Sequence, residues 1–229
     1  ALRSGAVPAL SRLAERGSLH TVTSVFPSVT GPAYAPFLMG RYPGPVGLVG
    51  LRWFDRALTV AAWPHWCRSY VGAEMRHVDR DLDPRAPTLF ELAPSSIAAL
   101  NVIGRGLSRA GRLARSARFV LRAARTHFRG NVQGWLDVDR DVAEETAARI
   151  RRDRPAFAFC ALTGVDKTSH AEGHDGPLVV EALRIVDGLV ARIREDAERD
   201  GRWRDMQLWV VSDHGHSPVH AHEDLDATI

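Results

Sequence analysis

The last third of the chain places an amphipathic helix between two apolar runs, and this order constrains the fold more than any other feature. The runs are "AFAFCALTG" at 156–164 and "DMQLWVVSD" at 205–213, and each has the length of a buried strand. The helix is "PLVVEALRIVDGLVARIREDAERDG" at 177–201. Two strands joined through a helix pair in parallel by a right-handed crossover. The sequence therefore predicts an α/β fold with a mostly parallel central sheet and helices on both faces.

The first half of the chain predicts further elements of the same kind. Its 229 residues, 45% of them hydrophobic, suffice for one sizeable α/β domain. Glycine, proline and the spacing of apolar residues mark three helices and two extended segments. They are a helix at 7–17, an extended segment at 19–26, a short helix from Pro32 to Gly40, a short helix at 88–92 and a strand at 96–104.

Residues 51–87 show no clean period and are rich in aromatic side chains. We interpret this segment as a small insertion or cap. Its aromatic residues serve either to pack the segment or to line a pocket wall, and packing is the favoured role.

Eight arginines recur every three or four positions between Arg105 and Arg129, which predicts one Arg-rich amphipathic helix over 105–129. The helix face is either solvated, which we favour, or contacts lipid headgroups or another anionic partner. The net charge is +3, and the basic residues are almost all arginine, since Lys167 is the only lysine. This bias indicates coding composition rather than specific binding of nucleic acid.

Polar side chains follow three of the predicted strands, at the point where each strand ends. Asp166 and His170 follow the strand at 156–164, and Asp213 and His214 follow the strand at 205–213. Thr30 follows the extended segment at 19–26. Because the carboxyl ends of parallel strands form one edge of a sheet, we expect all five residues to meet at a ligand crevice there.

Two carboxylates and two imidazoles are ligands that zinc or manganese accepts in proteins. Asp166 and His170 are four positions apart, so one helical turn can present both to the same ion. Asp213 and His214 are adjacent and precede a glycine, which permits a sharp turn. Two such pairs suggest two ions, as in sites that clamp the oxygens of a phosphoryl displacement.

Thr30 is the candidate nucleophile of this site. A threonine hydroxyl needs a nearby cation or base to react near neutral pH, and a metal at this edge would supply one. Thr23, Ser24 and Ser28 are competing hydroxyls. A threonine before a helix is also a common N-cap, so its position alone does not assign a catalytic role.

Three segments together resemble the alkaline phosphatase superfamily, most closely its nucleotide pyrophosphatase/phosphodiesterase branch. They are "FPSVTGPAY" at 26–34, "DKTSHAEGH" at 166–174 and "SDHG" at 212–215. The resemblance implies a phosphoester hydrolase that acts on a small diester or monoester through a phospho-threonine intermediate. It also implies two zinc ions, with manganese as the alternative. The implied first-ion ligands are Asp166 and His170, and the implied second-ion ligands are Asp213, His214 and the oxygen of Thr30, the nucleophile.

The family pattern also includes a metal-binding Asp before the helix that here begins near Val7, and a His well beyond 212–215. Neither has a counterpart here, so we expect the chain to be an internal fragment of an alkaline phosphatase-like catalytic domain that lacks two ligands. Four histidines and the lone lysine stay open, either as rim or phosphate contacts or as ordinary loop residues. They are His174, His216, His220, His222 and Lys167.

Two alternative functions remain. One is a related phosphonate or sulfate-ester hydrolase, although sulfatases normally use a modified cysteine or serine where Thr30 stands. The other is a non-catalytic module that binds an anionic or membrane surface through 105–129. The sequence does not indicate a cellular compartment.

Overall fold

The computed structural model describes residues 1–2, 4–55, 67–218 and 221. Its helices in this part of the chain are α1 (Pro8–Arg16), α2 (Ala35–Met39), α3 (Val78–Asp81), α4 (Leu89–Leu92), α5 (Ala117–Phe128), α6 (Val132–Asp153), α7 (Gly164–Glu172) and α8 (Pro177–Arg199). Its strands are β1 (Arg52–Phe54), β2 (Cys67–Ser69), β3 (Ser96–Ala99) and β4 (Phe157–Cys160). Short 3-10 helices cover Pro32–Tyr34, Gly72–His77 and Trp203–Asp205.

The predicted helices near 7–17, 32–40, 88–92 and 177–201 are confirmed, and their boundary residues act as the sequence indicates. Pro8 begins α1, and α2 ends at Gly40, which adopts the left-handed conformation. Thr88 and Glu91 form a capping box that begins α4. The long amphipathic helix α8 also forms where the sequence predicts it.

A short parallel sheet lies at the centre of the fold. β3 and β4 pair in parallel, with Ser96 opposite Phe157 and Ala99 opposite Cys160. Residues 111–113 run parallel to β3 on its other side, where the Leu113 amide donates to the Ala98 carbonyl over 2.8 Å. β1 and β2 form a separate antiparallel pair.

Alternate residues of β4 pack into two different hydrophobic cores, one on each face of the sheet. Phe157 and Phe159 face the core formed with Leu38, Phe90 and other residues of the first half of the chain. Ala158, Cys160 and Leu162 face the core that includes Phe119, Val138 and Val142 of α5 and α6. The structure thus has the α/β character and the two-sided helical cover that the sequence predicts.

Two predicted strands are absent from this sheet. Residues 19–25 and 206–211 form neither helix nor strand, and neither segment pairs with a strand among the described residues. Trp209 is 78% exposed and Phe26 is 95% exposed. A β-prone sequence forms a strand only where a neighbour accepts its hydrogen bonds and covers its side chains, and neither neighbour is present. The predicted crossover from β4 through α8 to a second strand is therefore not observed.

The predicted Arg-rich helix over 105–129 is much shorter in the structure. It is α5, and it begins only at Ala117, with the Ser116 hydroxyl as its N-cap. Gly106 and Ala114 have φ angles of 87° and 55°, which are incompatible with a continuous right-handed helix. Arg105 instead donates hydrogen bonds to the backbone carbonyls of Leu82 and Asp83 at 3.1 Å each, so it stabilises the loop that follows α3.

The described part of 51–87 contributes to the core of the first half of the chain. Tyr70 and Val78 are buried there, and the Trp53 ring lies edge-on to Tyr70 at a centroid distance of 5.2 Å. The interpretation of 51–87 as an insertion or cap stays a prediction, and its residues 56–66 lie outside the described residues. Across the described chain, no helix combines the length and apolarity that crossing a bilayer requires.

Candidate active site

Thr30 lies between an extended segment and a tight turn. The next residue, Gly31, has a φ of 101°, and a Cβ there would lie 2.7 Å from a side-chain carbon of Leu51, so only glycine fits. The Thr30 hydroxyl donates to Oδ2 of Asp213 over 3.2 Å. The Ser24 hydroxyl donates to the backbone carbonyl of Asp213, which gives the same pair of segments a second contact.

Asp166 and His170 lie on α7, which begins four residues after β4 ends. Their side chains meet across one helical turn, with Nε2 of His170 at 3.3 Å from Oδ1 of Asp166. Nζ of Lys167 lies 3.3 Å from Oδ2 of the same carboxylate. Asp166 therefore has a cation or an imidazole near each of its oxygens.

His214 connects the two predicted ligand pairs. Its Nε2 lies 3.9 Å from Oδ1 of Asp166 and 3.7 Å from Oδ2 of Asp213. Its side chain is 18% exposed, so it is largely shielded from solvent. Together with the Thr30 contact to Asp213, these distances bring all five predicted residues into one cluster.

The histidines left open by the sequence fall in different places. His216 packs its ring against His170 at a centroid distance of 4.8 Å and so lies at the rim of the cluster. Nε2 of His174 is 3.1 Å from Oδ2 of the exposed Asp175. His220 and His222 lie outside the described residues.

The donor atoms of the cluster suit a divalent cation, since paired carboxylates and imidazoles are common ligands of zinc and manganese. Within the described residues, however, no three His, Cys, Asp or Glu side chains are grouped so that they could hold an ion. The pairs Asp166–His170 and Asp213–His214 therefore have donor atoms of the types that a metal accepts, but they are not arranged as a complete metal site. The number and identity of the ions stay predictions.

Tyr34 is a buried residue on which the charges of two predicted ligands act, and the sequence did not mark it as a candidate. Its ring is buried and lies edge-on to Phe159 at a centroid distance of 5.4 Å. Burial raises the pKa of its phenol well above the usual value, and the nearby carboxylates of Asp213 and Asp166 raise it further. The phenol of Tyr34 therefore stays neutral near neutral pH, and the charges of Asp213 and Asp166 act on it. The sequence feature that could have indicated it is its position in the segment 26–34, which also contains Thr30.

Asp139 is a second residue that the sequence did not reveal. It lies on α6, is 1% exposed, and accepts hydrogen bonds from the amides of Gly164 over 2.6 Å and Thr163 over 3.0 Å. Burial raises the pKa of its carboxyl to about 6, although the two amide donors act in the opposite direction. Asp139 thus holds the first turn of α7, the helix that carries Asp166 and His170.

The fold of the described residues is similar to that of two solved structures. Phosphonoacetate hydrolase from Sinorhizobium meliloti 1021, in complex with phosphonoformate, matches with a TM-score of 0.62 and 18% identity over 85% of this chain and 49% of its own. An inactive form of murine ectonucleotide pyrophosphatase/phosphodiesterase 5, in complex with AMP, matches with a TM-score of 0.53 and 16% identity over 86% of this chain and 48% of its own. The chain thus spans about half the length of these proteins.

The sequence model of the type I phosphodiesterase / nucleotide pyrophosphatase family matches residues 1–228. The chain therefore belongs to this family, as the resemblance of its three segments indicated. A search of curated protein sequences finds no match.

Proposed function

We propose that the protein is a metal-dependent hydrolase of small phosphoesters, with Thr30 as its nucleophile. The observation that carries this proposal is the contact of 3.2 Å between the Thr30 hydroxyl and Asp213, beside the cluster of Asp166 and His214. A hydroxyl that points into a group of carboxylates and imidazoles lies where a cation would activate it. Family membership supports the same chemistry.

The proposed reaction has two steps, and Thr30 takes part in both. Its hydroxyl gives up its proton to solvent as its oxygen attacks phosphorus in line. The bond from phosphorus to the departing oxygen breaks, that oxygen takes a proton from solvent and leaves as the alcohol, and the phosphoryl group stays on Thr30. Water then attacks the same phosphorus from the opposite side, which releases the product and restores the hydroxyl. Asp213 accepts the hydrogen bond of Thr30 in the resting enzyme and so orients the oxygen before the first step.

We assign Asp166 and His170 to one cation, and Asp213, His214 and the Thr30 oxygen to the other, with zinc preferred and manganese as the alternative. When bound, such cations would lower the pKa of the Thr30 hydroxyl and neutralise charge on the phosphate oxygens. Lys167 has its ammonium group 3.3 Å from the Asp166 carboxylate, and Tyr34 has a neutral hydroxyl on which the charges of Asp213 and Asp166 act. Lys167 and Tyr34 are our candidates for contact with phosphate oxygens.

Phosphonate hydrolysis is a second candidate for the same site. The structural neighbour with the TM-score of 0.62 is a phosphonoacetate hydrolase, whereas the neighbour that contains AMP has a TM-score of 0.53. Both substrate classes present a tetrahedral phosphorus with anionic oxygens, so both fit attack by Thr30. The alcohol or carbon portion of the substrate would decide between them.

The experiment uses the intact protein, loaded with zinc or manganese, and three substrates: a chromogenic phosphodiester, a chromogenic phosphomonoester and phosphonoacetate. We expect Thr30→Ala to lower turnover of the preferred substrate by at least about 10³-fold, because alanine has no oxygen that could attack phosphorus. Ser28→Ala is the matched control, since Ser28 is exposed and in the same segment. If Thr30→Ala turns over substrate as fast as Ser28→Ala, Thr30 is not the nucleophile.

A further inference from the structure

The helix α5 exposes apolar side chains on the side that faces away from the core. Phe119 and Thr126, seven positions apart, are buried against the protein. Leu121 and Phe128 each lie two positions further along, which is about 200° around a helix. Leu121 is 71% exposed and Phe128 is 85% exposed. The outermost line of α5 is therefore apolar.

Arginines lie beside this apolar line along the whole helix. Arg118 and Arg125 each precede an exposed apolar residue by three positions, which places them about 60° to one side of it. Arg129 and Arg115 continue the row just beyond the two ends of α5. None of these four arginines forms an ion pair within the described chain, whereas Arg122 pairs with Asp141 of α6.

The segment around α5 carries no acidic residue that would neutralise this row. From position 105 to position 136 the sequence contains neither Asp nor Glu. At the carboxyl end of α5, the His127 ring lies 5.4 Å from Phe128 and 6.4 Å from Trp135, measured between ring centroids. The surface thus combines unneutralised positive charge with exposed aliphatic and aromatic side chains.

We propose that α5 docks on the surface of an anionic phospholipid bilayer. Leu121 and Phe128 would enter the boundary between headgroups and acyl chains, while Arg118, Arg125 and Arg129 contact lipid phosphates. This arrangement is that of an interfacial helix, which lies in the plane of the membrane and does not span it. The proposal concerns a surface outside the candidate active site and is independent of the proposed hydrolase activity.

The exposed apolar residues favour a bilayer over nucleic acid as the partner. Binding to a nucleic acid backbone gains affinity from arginine contacts to phosphate and gains little from an exposed Leu and Phe between them. A bilayer uses both features, because apolar side chains enter its interfacial layer and arginines remain at the headgroups. The arrangement of Leu121 and Phe128 beside the arginine row therefore identifies the lipid surface.

The test is flotation of the intact protein with vesicles that contain phosphatidylglycerol and phosphatidylcholine, compared with vesicles of phosphatidylcholine alone. One variant replaces Arg118, Arg125 and Arg129 by Gln, and a second carries Leu121→Ser and Phe128→Ser. The control replaces Arg151, Arg184 and Arg192 by Gln. These three arginines are exposed on α6 and α8, and their replacement changes the net charge by the same amount.

We expect binding to the anionic vesicles only, with a loss of about fivefold for each arginine of α5 that is replaced. The Leu121→Ser, Phe128→Ser variant should also bind more weakly, and the control should bind like the wild type. The proposal is overturned if the wild type does not bind these vesicles, or if the control loses as much binding as the α5 variant. The proposal is also overturned if the variant that replaces Arg118, Arg125 and Arg129 loses binding to a DNA duplex while its binding to the anionic vesicles stays at the wild-type level.

Discussion

The Thr30 hydroxyl donates a hydrogen bond to the Asp213 carboxylate over 3.2 Å, although the two residues are 183 positions apart in the chain. The contact joins the turn that precedes α2 to the segment that follows α8. Ser24 reinforces it through the backbone of Asp213. The proposed nucleophile and a predicted metal ligand from opposite ends of the chain are thus adjacent.

Removal of a predicted carboxylate ligand should lower metal affinity much more than removal of the Thr30 hydroxyl, the proposed nucleophile. We expect Asp166→Ala to weaken zinc binding by at least about tenfold, because it deletes a carboxylate next to both His170 and His214. Thr30→Ala should keep most of its metal. The measurement is isothermal titration of the intact apoprotein with zinc.

Asp175→Ala is the control for this comparison, since Asp175 is a 92% exposed carboxylate on the loop after α7. Equal zinc affinity of the Asp166→Ala and Asp175→Ala variants would remove Asp166 from the predicted ligand set.

Asp139→Asn should loosen the first turn of α7. An asparagine can accept one of the two amide hydrogen bonds, but its NH2 group would face the other amide, which costs about 1–3 kcal/mol of stability. We expect kcat to fall as well, because α7 carries Asp166 and His170. Asp137→Asn is the control on the same helix, and its exposed carboxylate should be nearly neutral for both quantities.

The same variant should change how stability depends on pH. The pKa of Asp139 is raised from 3.8 to about 6, so the folded protein binds a proton that the unfolded chain has already released in this range. This contribution to stability is complete below the unfolded value and is lost as the pH rises to about 6. Urea unfolding should show the wild type losing stability relative to Asp139→Asn over that interval. If the difference in unfolding free energy between the two proteins does not change with pH, the pKa of the Asp139 carboxyl is not raised by burial.

Gly164→Ala should destabilise the protein by about 1–3 kcal/mol. A Cβ at this position would lie 2.6 Å from Oδ2 of Asp139 and 3.1 Å from a methyl carbon of Leu136. Gly188→Ala is the matched control, because Gly188 lies inside α8 with nothing within 4 Å of its added Cβ. Alanine there should stabilise by about 0.5–1 kcal/mol. Thermal unfolding of the two variants should therefore shift in opposite directions.

Tyr34→Phe should retain the fold but alter substrate binding. The ring contact with Phe159 does not need the hydroxyl, whereas a phosphate near Asp166 would lose a neutral donor. Because burial raises the pKa of the phenol, Tyr34 should stay protonated through the alkaline range, and the variant should keep the alkaline limb of the wild-type rate profile. A shifted limb would show that Tyr34 ionises during turnover.

The sequence predicted elements wherever local signals and tertiary environment agree. α8 follows an amphipathic pattern and α4 has a capping box, so both could be located from the chain alone. The segment 206–211 has equally strong β propensity but pairs with no strand among the residues that the structure describes, because pairing depends on a neighbour and not on the segment itself. The arginine period also continued through Gly106 and Ala114, whose backbone conformations end any helix.

The sequence indicated these candidate residues because each follows a predicted strand or extended segment, and the structure places Thr30, Asp166 and Asp213 in one cluster with His214. It could not reveal Asp139, whose role depends on the packing of α6 against α7. A carboxylate in the middle of a long helix has no local feature that marks it as the anchor of another helix.

Identifying the residue that becomes covalently modified during turnover tests directly whether Thr30 is the nucleophile. The intact, metal-loaded protein would be quenched in acid while it hydrolyses its preferred substrate, and the peptides would be analysed by mass spectrometry. We expect a phosphoryl or phosphodiester group on Thr30, and none in the Thr30→Ala variant. A modification on Ser24 or Ser28, or full turnover with no adduct on Thr30, would contradict it.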